Sequence, residues 1–151
     1  MNTGIREMLA KDRECVLAMM RVFYASPAVL SDGSEEIFCS DFEQCVSENP
    51  YIEGYVFEVG LETGSEIGGY AMLAKSFSTE FGRPCIWIED IYLKPECRGL
   101  GMGRQFFEFI EDKYPGVIFR LEAEAENEGA VKLYEKCGYD VLPYLEMKKL
   151  V

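Results

Sequence analysis

Four stretches of the chain repeat apolar residues every three or four positions, the spacing typical of an amphipathic helix. The first begins at Lys11 and is interrupted near Pro27, and the second has Ser34 as a candidate N-cap. The third follows a glycine-rich loop, and the fourth begins at an asparagine. The pattern predicts four helices, at residues 11–24, 34–48, 98–114 and 127–137.

The other apolar stretches alternate with polar residues or run continuously over short lengths, as strands do. Two of them are joined by the turn sequence ETGS, which indicates a hairpin. Another, PCIWIEDIYL, is apolar except for Glu89 and Asp90, as expected of a strand covered on both faces. Strands are predicted at residues 4–9, 55–61, 66–77, 84–93, 116–125, 139–142 and 145–151. Strands that alternate with helices predict a mixed α/β fold, and no linker or repeat divides residues 1–151 into domains.

Composition narrows the classes of function. With 48% hydrophobic residues, a chain of 151 residues can form one domain with a substantial core. A net charge of −12 argues against nucleic acid as a partner, and the absence of histidine removes the commonest metal ligand and general base, so no metal site is expected. Six cysteines without a CxxC pair predict free thiols. No apolar run could span a membrane and no secretory signal is visible, so we expect a soluble, cytoplasmic protein without a membrane partner.

The segment CRGLGMGRQFF, residues 97–107, places three glycines at alternate positions directly before the third helix. A strand, a glycine loop and a helix in this order are typical of an anion site, because unpaired N–H groups and the positive end of the helix dipole point at the ligand. The spacing does not fit the GxGxxG dinucleotide fingerprint or a P-loop. It fits the pattern Arg-x-x-Gly-x-Gly through Arg98, Gly101 and Gly103. Such a loop can also be only a flexible connection between two elements.

The sequences on both sides of this loop resemble one family in the same order. IWIEDIYLKPECRGLGMG resembles the fourth strand and pyrophosphate loop of the GNAT N-acetyltransferases, and NEGAVKLYEKCGY resembles the helix of that family that runs from an asparagine to a tyrosine. Within the superfamily, FSTEFGRPCIWIEDIY is most similar to the thialysine and polyamine acetyltransferases. The resemblance implies a central, twisted, largely antiparallel sheet of six or seven strands with about four helices, in which strands four and five splay around the cofactor.

The same resemblance implies that acetyl-CoA is the cosubstrate and that main-chain amides hold its diphosphate. Its pantetheine arm then lies along the fourth strand, and the amide of Ile91 is the natural donor to the acetyl carbonyl, where charge develops. Arg98 and Arg104 would add positive charge, and Asn127 would cap the last helix and bind the arm. The implied cofactor contacts are Ile91, Tyr92, Leu93, Arg98, Gly99, Leu100, Gly101, Met102, Gly103, Arg104, Asn127, Ala130 and Tyr134.

Two side chains are candidates for moving protons during acetyl transfer. Strand alternation places Glu89 on the same face as Trp87 and Ile91, and Asp90 on the other face. A carboxylate on an apolar strand should have a raised pKa, which favours Glu89 as general base, and Asp90 would replace it if a β-bulge reversed the alternation. Tyr134 is the candidate general acid for the departing thiolate, because the motif overrides a spacing that alone would indicate a core aromatic.

The acceptor is predicted from charge. Between Ser31 and Ala74 there are ten acidic residues and no Lys or Arg, which is either a solubility feature or a field that attracts a cation. Glu122, Glu124 and Glu126 alternate along a predicted strand and form either a cation-binding ladder or a solvated face. We therefore expect a small cationic primary amine as acceptor. By resemblance, its pocket comes from residues 23–36, 77–83 and 144–150.

Several alternatives stay open at the level of sequence. Direct attack by the amine is preferred over an acetyl-cysteine intermediate, because no base is identifiable for Cys97 or Cys137. The remaining candidates are an acyl-CoA-binding or regulatory module without catalysis, a transferase for a longer acyl group, and a protein or peptide N-acetyltransferase. Members of the superfamily often dimerise, so the resemblance is also compatible with a homodimer.

Overall fold

One five-stranded sheet organises the fold. The structure is a computed structural model that describes residues 2–151. Its strands are β1 (Thr3–Glu7), β2 (Ile52–Leu61), β3 (Gly64–Ser78), β4 (Arg83–Leu93) and β5 (Ile118–Leu121). They lie in the order β1-β2-β3-β4-β5, antiparallel from β1 to β4, with β5 parallel to β4. The mixed α/β class and the hairpin between β2 and β3 are confirmed.

Residues 2–151 contain four α-helices, as the periodicity predicts: α1 (Arg13–Tyr24), α2 (Glu35–Val46), α3 (Met102–Lys113) and α4 (Glu128–Lys136). Ser34 caps α2, because its Oγ accepts a hydrogen bond of 3.2 Å from the amide of Ile37. The third helix begins later than predicted, at Met102 instead of Arg98. A 3₁₀ turn at Pro95–Cys97 and an extended Arg98 come first, so the glycine loop stands outside the helix. None of the helices in residues 2–151 is long and apolar enough to cross a membrane.

The helices cover the sheet from both faces and create two cores. On one face, α1 and α2 bury residues such as Met20 and Phe42 against Tyr70 and Met72 of β3. We call this side the α1–α2 layer. On the other face, α3 and α4 pack on a core that includes Tyr55, Phe57, Leu73, Phe106, Phe107 and Ile110, and we call this side the α3–α4 layer. All six cysteines are free thiols, as predicted.

The C-terminal part of the chain differs from the prediction. None of residues 139–151 belongs to a strand or helix, so the two predicted closing strands are wrong and the sheet has five strands instead of six or seven. Pro143 has no amide donor for a ladder, and the side chains of Leu145 and Met147 are each 86% exposed instead of packed on a sheet face. The segment is attached to the β3–β4 turn, where the Tyr144 hydroxyl donates a hydrogen bond of 2.7 Å to Glu80.

The fifth strand is also shorter than predicted. It ends at Leu121, so Glu122, Glu124 and Glu126 lie in a loop and form no ladder along a strand. Alternating glutamate and alanine has a low β-propensity, which accounts for the early end of β5. The consequence is a gap beside the second half of β4.

Candidate active site

The gap between β4 and β5 arises because their pairing is short. Parallel pairing joins Cys85–Ile88 of β4 to Ile118–Leu121 of β5 and then stops. The fourth strand continues to Leu93, paired only with β3 on its other side. The splay that the family resemblance implies is therefore present, and it leaves one edge of residues 89–93 without a strand partner. We call this opening the β4–β5 gap.

The alternating direction of hydrogen bonds along β4 shows which of its main-chain amides face this gap. The amide of Lys94 donates a hydrogen bond of 2.8 Å to the carbonyl oxygen of Gly68 on β3. The next residues, Leu93 of β4 and Gly69 of β3, are paired in the sheet. Because amide direction alternates along a strand, the amide of Tyr92 also points to β3, whereas those of Ile91 and Leu93 point into the gap. The Tyr92 ring lies in the α1–α2 layer. The amides of Ile91 and Leu93 therefore face the gap and the amide of Tyr92 does not, whereas their contacts with a cosubstrate stay predictions.

The glycine loop lies where β4 leads into α3. Gly99 and Gly101 have φ values of 76° and 78°, and a Cβ built on either meets no protein atom within 4 Å. Both therefore need the left-handed region that glycine adopts without strain, and both border open space. Within residues 2–151, the amides from Gly99 to Arg104 have no protein acceptor, and the first amide bonded at the start of α3 is Gln105, to the carbonyl of Gly101. This row of unpaired N–H groups at a helix N-terminus is suited to an anion.

The third glycine of the loop has a different role. A Cβ on Gly103 would stand 3.3 Å from a methyl carbon of Leu133 on α4. Gly103 is buried, so its missing side chain allows α3 and α4 to pack closely. Met102 is also buried in the core and offers only its main chain to the loop. The need for exposed backbone therefore explains Gly99 and Gly101, whereas helix packing explains Gly103.

The two arginines beside the loop are arranged differently. Arg98 Nε donates a bond of 3.0 Å to the carbonyl of Leu93, and its guanidinium lies 5.9 Å from the centre of the Tyr92 ring. It therefore stands at the end of the β4–β5 gap. Arg104 instead donates a bond of 3.0 Å to Glu108, one turn further along α3. Arg98 is the arginine already directed toward the gap.

A β-bulge divides β4 at Glu89. Asp90 is opposite Met72 and Ile88 is opposite Leu73, so Glu89 is an extra residue with no partner on β3. Ile88 and Ile91 consequently both pack in the α3–α4 layer, although three positions separate them. The predicted alternation is wrong across this point, because Trp87 precedes the bulge and faces away from Ile91.

Asp90 is buried and fully engaged. Its side chain is 4% exposed, and its two oxygens accept hydrogen bonds of 2.9 Å from the Tyr24 hydroxyl and 2.8 Å from the Tyr70 hydroxyl. Burial raises the pKa of Asp90, and these two bonds act in the opposite direction. Both carboxylate oxygens of Asp90 therefore already accept hydrogen bonds from the protein.

Glu89 has the opposite environment. Its side chain is exposed and has no hydrogen-bond partner among residues 2–151. Although the residue is exposed overall, partial desolvation of its carboxyl, followed by the charges of Asp90, Glu146 and Asp41, raises the pKa of Glu89 above that of an ordinary glutamate. A carboxylate that is accessible and more basic than usual is suited to accept a proton.

Further carboxyl groups surround Glu89. Burial and the charge of Asp90 raise the pKa of Asp41 on α2 to about 6. Partial withdrawal from water, followed by the interaction with the neighbouring Glu146 carboxylate, raises the pKa of Glu122 to about 7. Among residues 2–151, no group of three acidic, cysteine or histidine side chains could hold a metal ion. The negative potential of this region is suited to a cationic molecule.

Helix α4 brings the remaining predicted residues to the other side of the site. Asn127 caps the helix through a bond of 3.4 Å from the amide of Ala130 to its Oδ1. Tyr134 packs edge-on against Phe107, with ring centres 5.9 Å apart, and its hydroxyl has no hydrogen-bond partner among residues 2–151. Burial raises the pKa of Tyr134, so the phenol stays protonated and available as a donor.

Sequence reasoning missed the partners of the two β4 carboxylates. The sequence analysis assigned no role to Tyr24 and Tyr70, which bond to Asp90, or to Asp41 and Glu146, whose charges act on Glu89. One signal was available, since a buried tyrosine hydroxyl usually requires a hydrogen-bond partner. Which carboxylate that partner is depends on the bulge, which the sequence does not reveal.

Comparisons with known proteins agree with this geometry. Thialysine N-epsilon-acetyltransferase of Sus scrofa is 37% identical over 147 residues, covering 89% of this chain and 82% of the relative. The crystal structure of a possible acetyltransferase from Clostridium difficile 630 superposes with a TM-score of 0.80 at 18% identity, over 99% of this chain and 97% of the other. The structure of AAC(6')-Iy in complex with the bisubstrate analog CoA-S-monomethyl-acetylneamine gives a TM-score of 0.76 at 14% identity, over 100% and 99% of the two chains. Residues 17–139 match the model of the acetyltransferase (GNAT) family, and the chain belongs to that family of acetyltransferases.

Proposed function

We propose that this enzyme moves the acetyl group of acetyl-CoA to the primary amine of a small cationic acceptor, by direct attack of the amine on the thioester. The observation that carries the proposal is the row of unpaired amides from Gly99 to Arg104, continuous with a gap into which the amides of Ile91 and Leu93 point. A diphosphate at the loop and an extended arm along β4 would satisfy both sets of donors.

The residues of the gap fit this cosubstrate. The space beside Gly99 and Gly101, where a Cβ would stand, is open for a phosphate to approach the backbone. Arg98 lies at the junction of loop and strand and can add a charged contact. The Ile91 amide is the donor for the acetyl carbonyl oxygen, whose negative charge grows as the amine attacks.

Proton transfer is assigned to two side chains on opposite sides of the gap. Glu89 takes a proton from the acceptor ammonium, directly or through water, which leaves a neutral amine able to form the new C–N bond. Tyr134 gives its proton to the sulfur as the C–S bond breaks, and its phenolate takes up the second proton that the new amide nitrogen loses. The raised pKa of each group supports its role, because Glu89 becomes a stronger base and Tyr134 stays protonated until the thiolate forms.

The acceptor class follows from the carboxylates around Glu89. Asp41, Asp90, Glu122 and Glu146 all lie close enough to influence one another or Glu89, and their combined field attracts a cation. The names of the relatives are compatible with this class, since thialysine is a cationic amine and the bound analogue of the solved structure contains acetylneamine.

The test is an acetyl-CoA consumption assay against lysine, thialysine, diamines, polyamines, neamine and a lysine-containing peptide. We expect a small cationic amine to be the best acceptor, and Glu89→Gln to lower kcat by about 100-fold or more without weakening CoA binding. If no amine accelerates consumption above the Glu89→Gln background, the catalytic proposal is wrong. If the peptide is the preferred acceptor, the assignment of a small molecule is wrong.

A further inference from the structure

Two neighbouring carboxylates on β4 have opposite environments, and the bulge separates them. Glu89 is the unpaired, exposed residue, whereas Asp90 is 4% exposed between the sheet and the α1–α2 layer. Resting on the proposed function, in which Glu89 is the base, we propose that Asp90 is a positioning residue: held by the hydroxyls of Tyr24 and Tyr70, it fixes the bulge that presents Glu89 to the acceptor. We call the three side chains the tyrosine–aspartate clamp.

The clamp joins three elements at the point where β4 changes register. Tyr24 is the last residue of α1, Tyr70 lies on β3, and Asp90 lies immediately after the bulged residue. The Tyr24 ring also packs against Phe38 of α2, with centres 5.1 Å apart. The position of Asp90 is therefore set from both the helical layer and the neighbouring strand.

The alternative register explains why this clamp matters. Without the bulge, side-chain alternation from Ile86 and Ile88 would place Asp90 in the same apolar layer as these two residues. There the carboxylate would lose both tyrosine donors, which is strongly unfavourable for a buried charge. The same slip would turn Ile91 away from the α3–α4 layer. Two good hydrogen bonds on Asp90 thus select the bulged register.

Asp90 also influences Glu89 through its charge. The groups facing Glu89 from the surrounding elements are acidic: Asp90 on β4, Asp41 on α2, Glu146 in the C-terminal segment and Glu122 after β5. Removing one of these charges should make Glu89 easier to ionise. The effect on the pH profile separates this electrostatic contribution from simple support of the fold.

The experiment compares two substitutions at Asp90. Asparagine can accept from one tyrosine and donate to the other, so Asp90→Asn should keep the bulge, retain most of kcat and move the acidic limb of the kcat profile to lower pH. Asp90→Ala breaks the clamp and should lower kcat by about tenfold or more, with a smaller rise in KM for acetyl-CoA because the glycine loop stays intact. The double variant Tyr24→Phe with Tyr70→Phe should reproduce the loss seen with alanine, and it provides the same test if Asp90→Ala does not fold.

The outcomes distinguish this inference from the proposed function. If Asp90→Asn loses as much kcat as Asp90→Ala, Asp90 acts through its own proton or charge and the positioning role is wrong. If Asp90→Ala, or the double tyrosine variant, keeps the wild-type kcat and pH profile, the clamp does not position the base. Full activity of Glu89→Gln would instead remove the proposed base itself, whatever the result at Asp90.

Discussion

The two sides of β4 bind by different means. On the side of α3 and α4, the site consists of main-chain groups: the amides of the loop from Gly99 to Arg104 and those of Ile91 and Leu93. On the side of α1 and α2, it consists of the exposed Glu89 side chain and the carboxylates near it, while the hydroxyls of Tyr24 and Tyr70 hold the buried Asp90 in place. The comparison indicates that backbone geometry is suited to an acyl donor that many related enzymes would share. Side chains are suited to an acceptor that differs from one enzyme to another.

The electrostatic contrast follows the same boundary. Unpaired N–H groups and a helix N-terminus give the loop a positive potential suited to a diphosphate. The carboxyls of Asp41, Glu122 and Glu146 give the opposite side a negative potential suited to an amine. Under the proposed function, the anionic donor and the cationic acceptor would therefore bind on different sides of one strand and meet at the bulge.

On the α3–α4 side, the largest effect is expected at Tyr134, the proposed proton donor. Tyr134→Phe should lower kcat by about 100-fold if the phenol protonates the thiolate. The matched control is Tyr139→Phe, because both rings pack on Phe107 but the Tyr139 hydroxyl is buried without a partner. That control should keep kcat within about twofold and leave stability equal or higher, since no hydrogen bond is lost. Steady-state kinetics of the two variants would reject the assignment if both kept the wild-type kcat.

An intermediate effect is expected from a single methyl group in the glycine loop. Gly101→Ala forces an alanine into the left-handed region, which costs about 1–2 kcal/mol, and places a Cβ in the open cradle. Because the free loop can relax and the bound loop cannot, CoA binding should weaken by about tenfold.

Gly116 provides the matched control for this substitution. It has the same φ of 78° and the same open surroundings, but lies beyond the C-terminal end of α3. Gly116→Ala should lower the free energy of unfolding by a similar amount and leave the CoA dissociation constant unchanged in titration calorimetry. Equal affinities of the two variants would mean that the loop does not hold the cosubstrate.

The smallest effect concerns the charge of the acceptor side. The pKa of Asp41 in the folded protein is about 6, above its ordinary value of 3.8, so folding stability is lost as pH rises from about 4 to above 6. Allowing for solvent screening, the loss at pH 8 is about 1 kcal/mol. Asp41→Asn should therefore raise Tm by about 2–4 °C at pH 8 and have no effect at pH 4. Glu36→Gln, at an exposed acid on the same helix, is the control, and an equal gain from it would contradict the burial argument.

The sequence predicted the main-chain side of the site far better than the other. Local residue preferences account for the positive φ at Gly99 and Gly101, the cap at Asn127 and the location of β4, so a short motif is enough to indicate them. The clamp on Asp90 instead joins positions 24, 70 and 90, and it exists only after the helix, the two strands and the bulge have assembled. The prediction of two closing strands was wrong for a related reason. The alternation of residues 139–151 does not indicate whether a sheet edge is available to pair with them.

The unpaired C-terminal segment has a consequence for how this enzyme can change. Glu146 influences Glu89 from a stretch of chain that contributes no ladder to the sheet. Insertions, deletions or new side chains there would break no strand pairing and would leave the diphosphate cradle untouched. Under the proposed function, selectivity for the amine could therefore change through this segment without a change in the groups that hold the acyl donor.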